Sequence, residues 1–153
     1  KRLTRQVTVP VSAGLLTDTG RYFDALTAYR SGDIQPIVER FAEASFDSVV
    51  NGRQLVSDLR SIREAWSDAI TSRRQATVWR VVDVVLQRPV LNNAFLQREI
   101  GVSVMGADAA ITELVRIGAL EEVTGGRRNR RYAAVQVLGA LDAFAERAGR
   151  GTP

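Results

Sequence analysis

The four residues Ile100-Gly101-Val102-Ser103 decide the fold, because they predict a glycine turn between two helices. A short helix is expected before the turn, capped at its start by Asn92 or Asn93 and running through Ile100. A second helix is expected after the turn, with Ser103 as its N-cap and Gly118 at its end. Two helices joined by a short glycine turn are typical of a helix-turn-helix.

The segment before this pair of helices also has a helical pattern. Its apolar residues recur at spacings of three and four: Val78, Val81, Val82, Val85 and Leu86. Because β-branched residues are mediocre helix formers, a strand is the competing interpretation. Arg80, Asp83 and Gln87 fall on one polar helical face, which favours a helix that ends at Arg88-Pro89.

The segment after the pair predicts a β-hairpin. Leu120 to Val123 and Arg130 to Ala133 are the expected strands, with a turn at Thr124-Gly125-Gly126. A last amphipathic helix is expected from Val135. Helix, short helix, glycine turn, helix and arginine-tipped hairpin follow the order of a winged helix-turn-helix, which we predict as a domain over residues 73–150.

Residues 1–72 predict a helical segment. Lys1 to Thr19 has no helical period and is expected to be an extended lead-in. Thr17 or Asp18 can cap a helix that runs through Arg30, and Asp33 can cap the helix after it.

The second of these helices is expected to have a weak point at Asn51-Gly52, which would stop it, kink it or cost stability. The apolar pattern then resumes at alternating spacings of four and three, through Leu55, Leu59, Ile62, Trp66 and Ala69. These five residues form a narrow apolar stripe along the helix, called the seam below. So narrow a stripe suits packing within the chain or against a partner helix, and packing within the chain is the preferred interpretation. The fold class is therefore mainly α with a small β-hairpin wing.

The composition excludes several kinds of site. The chain has neither cysteine nor histidine, which rules out disulfides, thiolate zinc sites, imidazole bases and Ser-His-Asp triads. No cofactor or metal is expected, and no residue is assigned a catalytic role. No apolar run approaches the roughly 20 residues of a membrane span, so we expect a cytoplasmic protein without a membrane partner. Because the chain starts with lysine, we expect a piece of a longer protein.

The positive charge is concentrated in the second half. Residues 1–72 carry 9 basic and 9 acidic side chains, whereas residues 73–153 carry 12 and 8. Clustered arginines at the hairpin tip could neutralise phosphates of duplex DNA. The candidate nucleic-acid-binding residues are those of the wing and the recognition helix: Arg127, Arg128, Asn129, Arg130, Arg131, Ser103 and Arg116.

Two features argue for a different role. The recognition helix has only Arg116 as a basic residue and begins with Val104 and Met105, so no sequence-specific reader is evident. Glu121 and Glu122 could form cross-strand ion pairs with two of the wing arginines. The alternative is a homodimer or a protein-recruiting domain, in which the seam from Leu55 to Trp66 is the contact surface.

The chain resembles bacterial Fic (filamentation induced by cAMP) proteins in several stretches. The segment that follows the Fic catalytic motif is similar to Val7-Thr8-Val9-Pro10-Val11-Ser12, Tyr22-Phe23-Asp24-Ala25-Leu26, Tyr29-Arg30 and Gly32-Asp33. The winged-helix tail of many Fic proteins is similar to Arg127-Arg128-Asn129-Arg130-Arg131-Tyr132 and the helix after it. The resemblance covers nearly the whole chain.

The resemblance implies a non-catalytic role for this chain. Fic proteins typically move AMP from ATP to a protein side chain with a His-Pro-Phe-x-x-Gly-Asn-Gly-Arg-x-x-Arg motif. Asn51-Gly52-Arg53 echoes part of that motif but lacks the upstream histidine and glycine, so we interpret it as coincidence. Residues 1–72 would be the last helices of a Fic core with a connector. The parent would be an AMP-transferring enzyme, whereas this fragment would not be an enzyme.

Overall fold

A computed structural model describes residues 11–73, 76–124 and 130–149, and over these residues the chain is mainly helical. The elements in chain order are α1 (Val11–Leu16), α2 (Thr19–Arg30), α3 (Gln35–Ala69), α4 (Thr77–Gln87), β1 (Val90–Leu91), α5 (Asn93–Ile100), α6 (Val104–Arg116), β2 (Glu121–Glu122), β3 (Tyr132–Ala133) and α7 (Val135–Arg147). The predicted fold class, mainly α with a small β wing, is confirmed.

The chain forms two compact units. The first consists of Lys1–Ser57 with Leu141–Pro153, and the second of Asp58–Ala140. Helices α3 and α7 therefore contribute residues to both. The sequence predicts a boundary between residues 72 and 73 for two domains. That boundary refers to separately folding domains and not to these compact units, and it stays a prediction.

Helix α1 corrects the expectation of an extended lead-in up to Thr19. The chain is already helical over Val11–Leu16, where close packing on α3 compensates for the poor helical pattern. The Gly14 backbone N–H donates to the Ser48 hydroxyl oxygen at 3.1 Å, and the buried Arg40 guanidinium donates to the Gly14 carbonyl at 2.8 Å. Residues 1–10 lie outside the described part of the chain. The predicted cap of α2 is confirmed at Asp18, whose carboxylate accepts the Arg21 N–H at 3.0 Å.

Helix α3 continues through Asn51-Gly52, which excludes a stop and leaves the other two alternatives, a kink or a cost in stability. The Asn51 side chain donates to the Phe144 carbonyl at 3.0 Å and accepts from the Arg147 guanidinium at 2.6 Å, both within the first unit. These tertiary hydrogen bonds offset the low helix propensity of the Asn-Gly pair.

The core of the second unit lies under α4, α5, α6 and a three-stranded antiparallel sheet of order β1-β3-β2. Its largest fully buried residues are Leu96, Leu114, Leu120, Val81, Val82, Val85 and Val137. The helical interpretation of residues 77–87 is therefore right, and the strand alternative is wrong. Strand β1 is not predicted from the sequence, because two residues after a proline are too few to show the period-two alternation of a strand. In the sheet Val90 pairs with Ala133 and Leu91 with Tyr132.

The turn residues adopt the expected conformations. The Asn92 side chain accepts the Phe95 N–H at 2.8 Å, and the Ser103 hydroxyl oxygen accepts the Gly106 N–H at 3.1 Å, so both act as N-caps. Gly101 has a φ of 63°, the left-handed region that favours glycine. Helix, strand, helix, turn, helix and hairpin thus form a winged helix-turn-helix.

The C-terminal end of α3 belongs to this winged-helix core. Trp66 is 3% exposed, and Leu59 and Ile62 pack partly buried against the same core. Packing within the chain is therefore the correct interpretation of these seam residues, and they do not form an exposed contact surface. At the last seam position Ala69 is exposed and Ile70 is buried instead, because α3 ends at Ala69 and the helical spacing no longer applies.

Glu113 on α6 fixes the chain just after α3. Its carboxylate accepts the backbone N–H groups of Thr71 and Ser72 at 3.1 and 3.2 Å, as well as the Ser72 hydroxyl. Burial alone would raise the pKa of Glu113. The hydrogen bonds from Ser72 and Thr71, with Arg116 nearby, outweigh it and lower the pKa below its ordinary value.

Replacement of Glu113 with glutamine should therefore destabilise the fold in a pH-dependent way. At pH 7 we expect a loss of about 1–2 kcal/mol in the free energy of unfolding, because charge-assisted hydrogen bonds become neutral ones. The stability from a depressed folded-state pKa is fully present above the unfolded-state pKa of about 4.3, and it is lost as the pH falls from there through the folded-state pKa. Urea unfolding of wild type and E113Q between neutral and acidic pH measures the difference. An exposed control, E99Q, should show no such trend, and a gap that persisted undiminished at acid pH would contradict the assignment.

Candidate nucleic-acid interface

The structure describes the two ends of the predicted wing. Arg127, Arg128 and Asn129 lie outside the described residues, whereas Arg130 and Arg131 lie within them. The strands on either side pair Glu122 with Tyr132 and Glu121 with Ala133. Neither glutamate is therefore directly opposite an arginine, because the register is offset from the one expected.

Arg130 is held on the wing by its neighbours. Its Nε lies 3.6 Å from a carboxylate oxygen of Glu122, so one of the expected ion pairs forms diagonally across the strands. Hydrogen bonding with the Tyr132 side chain, together with the Glu122 charge, raises the pKa of Arg130 above its ordinary value. Arg130 is therefore a permanent cation whose charge is partly offset.

Arg131 faces a different set of residues. Its backbone N–H donates to the Thr124 hydroxyl oxygen at 2.9 Å, and its backbone carbonyl accepts the Val123 N–H at 2.9 Å. Arg131 also lines a groove of about 270 Å³ between the sheet and α5. The residues that line this arginine groove are Val90, Leu91, Asn92, Phe95, Arg98 and Arg131.

The arginine groove is cationic. Its lining includes Arg98 and Arg131, and none of its described lining residues is acidic. A third guanidinium, that of Arg88, lies 5.4 Å from the centroid of the Phe95 ring and so borders the groove through a cation–π contact. Arginine side chains that line or border one concave surface create a positive potential that attracts anions.

The helical spacing of α5 builds one wall of this groove. Asn92, Phe95 and Arg98 are three residues apart and so lie on one face of the helix. The sequence predicts only the cap role of Asn92 and gives Arg98 no role. The three-residue spacing from Phe95 to Arg98 indicates that both lie on one helical face. The sequence does not show which element lies across the groove from this face, because β1 is not predicted.

The recognition helix α6 exposes a mostly apolar surface. Met105 is 83% exposed and Val104 is 55% exposed, followed along the exposed side by Asp108, Ala109 and Thr112. Ser103 is occupied as the N-cap, although its hydroxyl proton remains available as a donor. Arg116 is exposed at the far end, 3.9 Å from Glu113.

Hydrogen bonds within the helix-turn-helix lie near this surface. The Asn93 side-chain amide donates to the Val104 carbonyl at 3.3 Å and to the Asp108 carboxylate. The Arg80 guanidinium donates to the Ile100 carbonyl at the turn. Asn93 therefore connects the start of the arginine groove to the first turns of α6, and its amide partly compensates the charge of Asp108.

Other features of the described residues are less suited to an anion. A larger groove in the first unit is lined by Arg21 and Arg40 but also by Asp24 and Glu39, so its charges cancel. Among residues 11–73, 76–124 and 130–149, no group of histidine, cysteine or carboxylate side chains is arranged to hold a metal ion. None of the helices described is long and apolar enough to cross a membrane.

No protein-family model matches this sequence, and a search of curated proteins also found no match. A functional assignment consequently depends on the arrangement of side chains in the second unit.

Proposed function

We propose that the second unit is a winged-helix module that binds duplex DNA, mainly through the phosphate backbone. The observation that carries this proposal is the arginine groove beside the wing, where Arg98 and Arg131 line the same concave surface and none of the described lining residues is a carboxylate. Arginine suits this role because its planar guanidinium can donate two parallel hydrogen bonds to one phosphate.

The recognition helix supports binding with low sequence discrimination. Base-specific contacts usually come from arginine, asparagine, glutamine or lysine near the start of that helix. Here the first turns carry Val104 and Met105, and Arg116 is at the opposite end. Phosphate contacts position a protein on DNA but do not specify sequence, so the groove supplies affinity rather than selectivity.

The test is the salt dependence of binding to a short mixed-sequence duplex. Each neutralised phosphate adds about 0.9 to the slope of log affinity against log salt concentration. We expect the double variant R98Q/R131Q to bind about tenfold more weakly per arginine at low salt, with a slope that is smaller by about 2. Fluorescence anisotropy over a series of salt concentrations measures both quantities.

The matched control is R60Q/R63Q on α3, which lowers the net charge equally. Arg60 is exposed and Arg63 already pairs with Asp83 at 3.1 Å, so we expect only a small uniform loss of affinity. Equal losses for the two double variants would mean that net charge, and not the arginine groove, drives binding. The absence of any salt-sensitive binding by wild type would refute the proposed function.

A second candidate function is protein contact through α6. The observation that favours it is the 83% exposure of Met105 beside the 55% exposure of Val104, since exposed apolar side chains at one place often mark interfaces. It predicts self-association or partner binding that is insensitive to salt. Sedimentation analysis of wild type and M105S separates this function from DNA binding.

The resemblance to Fic proteins supports a proposal about the parent protein. We infer that the chain is the non-catalytic C-terminal region of a cytoplasmic, AMP-transferring Fic-type enzyme, in which the winged helix serves DNA binding or regulation. No residue here is given a catalytic role, because the whole chain lacks the histidine that Fic chemistry requires. The deciding observation is the coding sequence upstream of Lys1. A histidine followed by Gly-Asn-Gly-Arg would support the proposal, and a different upstream domain would overturn it.

A further inference from the structure

We infer that α6 selects DNA by contact with the 5-methyl groups of thymine, through Val104 and Met105. This inference rests on the proposed binding of duplex DNA and adds a basis for base preference. It concerns the first turns of α6, which the arginine groove does not include.

The exposed side of α6 provides the apolar surface. Val104 and Met105 open the helix with exposures of 55% and 83%, and Ala109 and Thr112 continue the exposed side one and two turns later. The opposite side is buried in the core through Ala107, Ala110, Ile111 and Leu114. Helix α6 is thus held firmly on one side and presents methyl and thioether groups on the other.

The chemistry of the major groove identifies what this surface can recognise. The 5-methyl group of thymine is the apolar group that distinguishes base edges there, whereas the other edges offer hydrogen-bond donors and acceptors. Helix α6 has no arginine, lysine, asparagine or glutamine before Arg116, so its exposed start cannot make the bidentate bonds that read guanine or adenine. Apolar contact with thymine is the base contact that Val104 and Met105 themselves can make.

The surrounding charges favour a polyanion over an apolar protein surface. Asn93 ties the first turns of α6 to the α5 N-terminus, next to Asn92 at the edge of the arginine groove. Arg80 lies at the turn between the two helices. The carboxylate that would oppose DNA, Asp108, accepts a hydrogen bond from Asn93. Arg80 and the arginine groove supply positive charge on the second unit for the two phosphate strands, and the apolar start of α6 offers a surface for the methyl groups between them.

The experiment compares two duplexes of one mixed sequence, with thymine in the first and deoxyuridine in the second. They differ only in the 5-methyl groups. We expect wild type to bind the thymine duplex about fourfold more tightly for each methyl group that the helix fully covers. A third duplex, with 5-methylcytosine replacing cytosine in the deoxyuridine sequence, should regain part of the affinity because that methyl group occupies the same place on the base.

The variant M105S, alone and with V104S, should bind the two duplexes with nearly equal Kd while its salt slope stays unchanged. V50S, which removes a 67% exposed valine from α3, is the matched control and should keep the preference for thymine. Equal Kd values of wild type for both duplexes would overturn the inference and leave the proposed function intact. Absence of binding to either duplex would overturn both, and a salt-insensitive dimer that M105S abolishes would assign the surface to protein contact instead.

Discussion

Replacing Trp66 with alanine is expected to lower the free energy of unfolding by about 3–5 kcal/mol, the usual cost of truncating a fully packed tryptophan. Trp66 is 3% exposed and belongs to the winged-helix core, although it lies on the long helix α3. Its indole N–H also donates to the Gln136 side-chain oxygen at 2.8 Å. The variant loses buried apolar surface, leaves a cavity and removes the hydrogen bond from Trp66 to Gln136.

A loss of this size would be a large part of the stability of an ordinary domain, which is about 5–15 kcal/mol. Chemical denaturation followed by circular dichroism measures it. W79A is the matched control, because Trp79 is only partly buried and its indole N–H donates to the Arg73 carbonyl. We expect about 1–2 kcal/mol for W79A. Unchanged stability of W66A would contradict the burial of Trp66 in the winged-helix core.

Replacing Gly14 with alanine is expected to destabilise the first unit by about 3 kcal/mol or more, since added core atoms that meet rigid backbone exceed the usual cost of overpacking. A Cβ at Gly14 would lie 2.0 Å from the Ala44 carbonyl oxygen, a separation that no side-chain rotation relieves. Helix α1 would have to move away from α3. The hydrogen bonds of Gly14 with Ser48 and Arg40 would then break together.

We expect the control variant for this prediction to change the free energy of unfolding in the opposite direction. Gly52 lies inside α3, and a Cβ built there meets nothing within 4 Å among the described residues. G52A should therefore raise stability by about 0.5–1 kcal/mol, because alanine is the better helix former. Thermal unfolding of the two variants beside wild type tests the pair. A G14A protein as stable as wild type would refute the close packing of α1 on α3.

Several parts of the fold could be predicted because their causes are local. Asn92, Ser103 and Asp18 cap helices through hydrogen bonds that reach only three residues along the chain. Gly101 and Gly118 adopt a positive φ that glycine tolerates best. These short-range rules, with the period of the apolar residues, were enough to establish the winged helix-turn-helix.

Other parts could not be predicted because their causes lie far apart in the sequence. Helix α3 persists through Asn51-Gly52 because of partners more than 90 residues away. Strand β1 exists because β3 supplies its hydrogen-bond partners, and α1 forms against α3. In each case local propensity was outweighed by contacts that only the folded chain provides.

The candidate site also has features that the sequence predicts and features that only the fold creates. The sequence by itself determined the number of arginines near the wing, the apolar start of α6 and the absence of histidine from the chain. Only the tertiary structure decided that Arg131 and Arg98 line one groove, which of the possible cross-strand ion pairs forms, and that Asp108 is bound by Asn93. The physical reason is that charge and hydropathy belong to single residues. A groove is a relation between elements, and it exists only once β1, β3 and α5 have packed together.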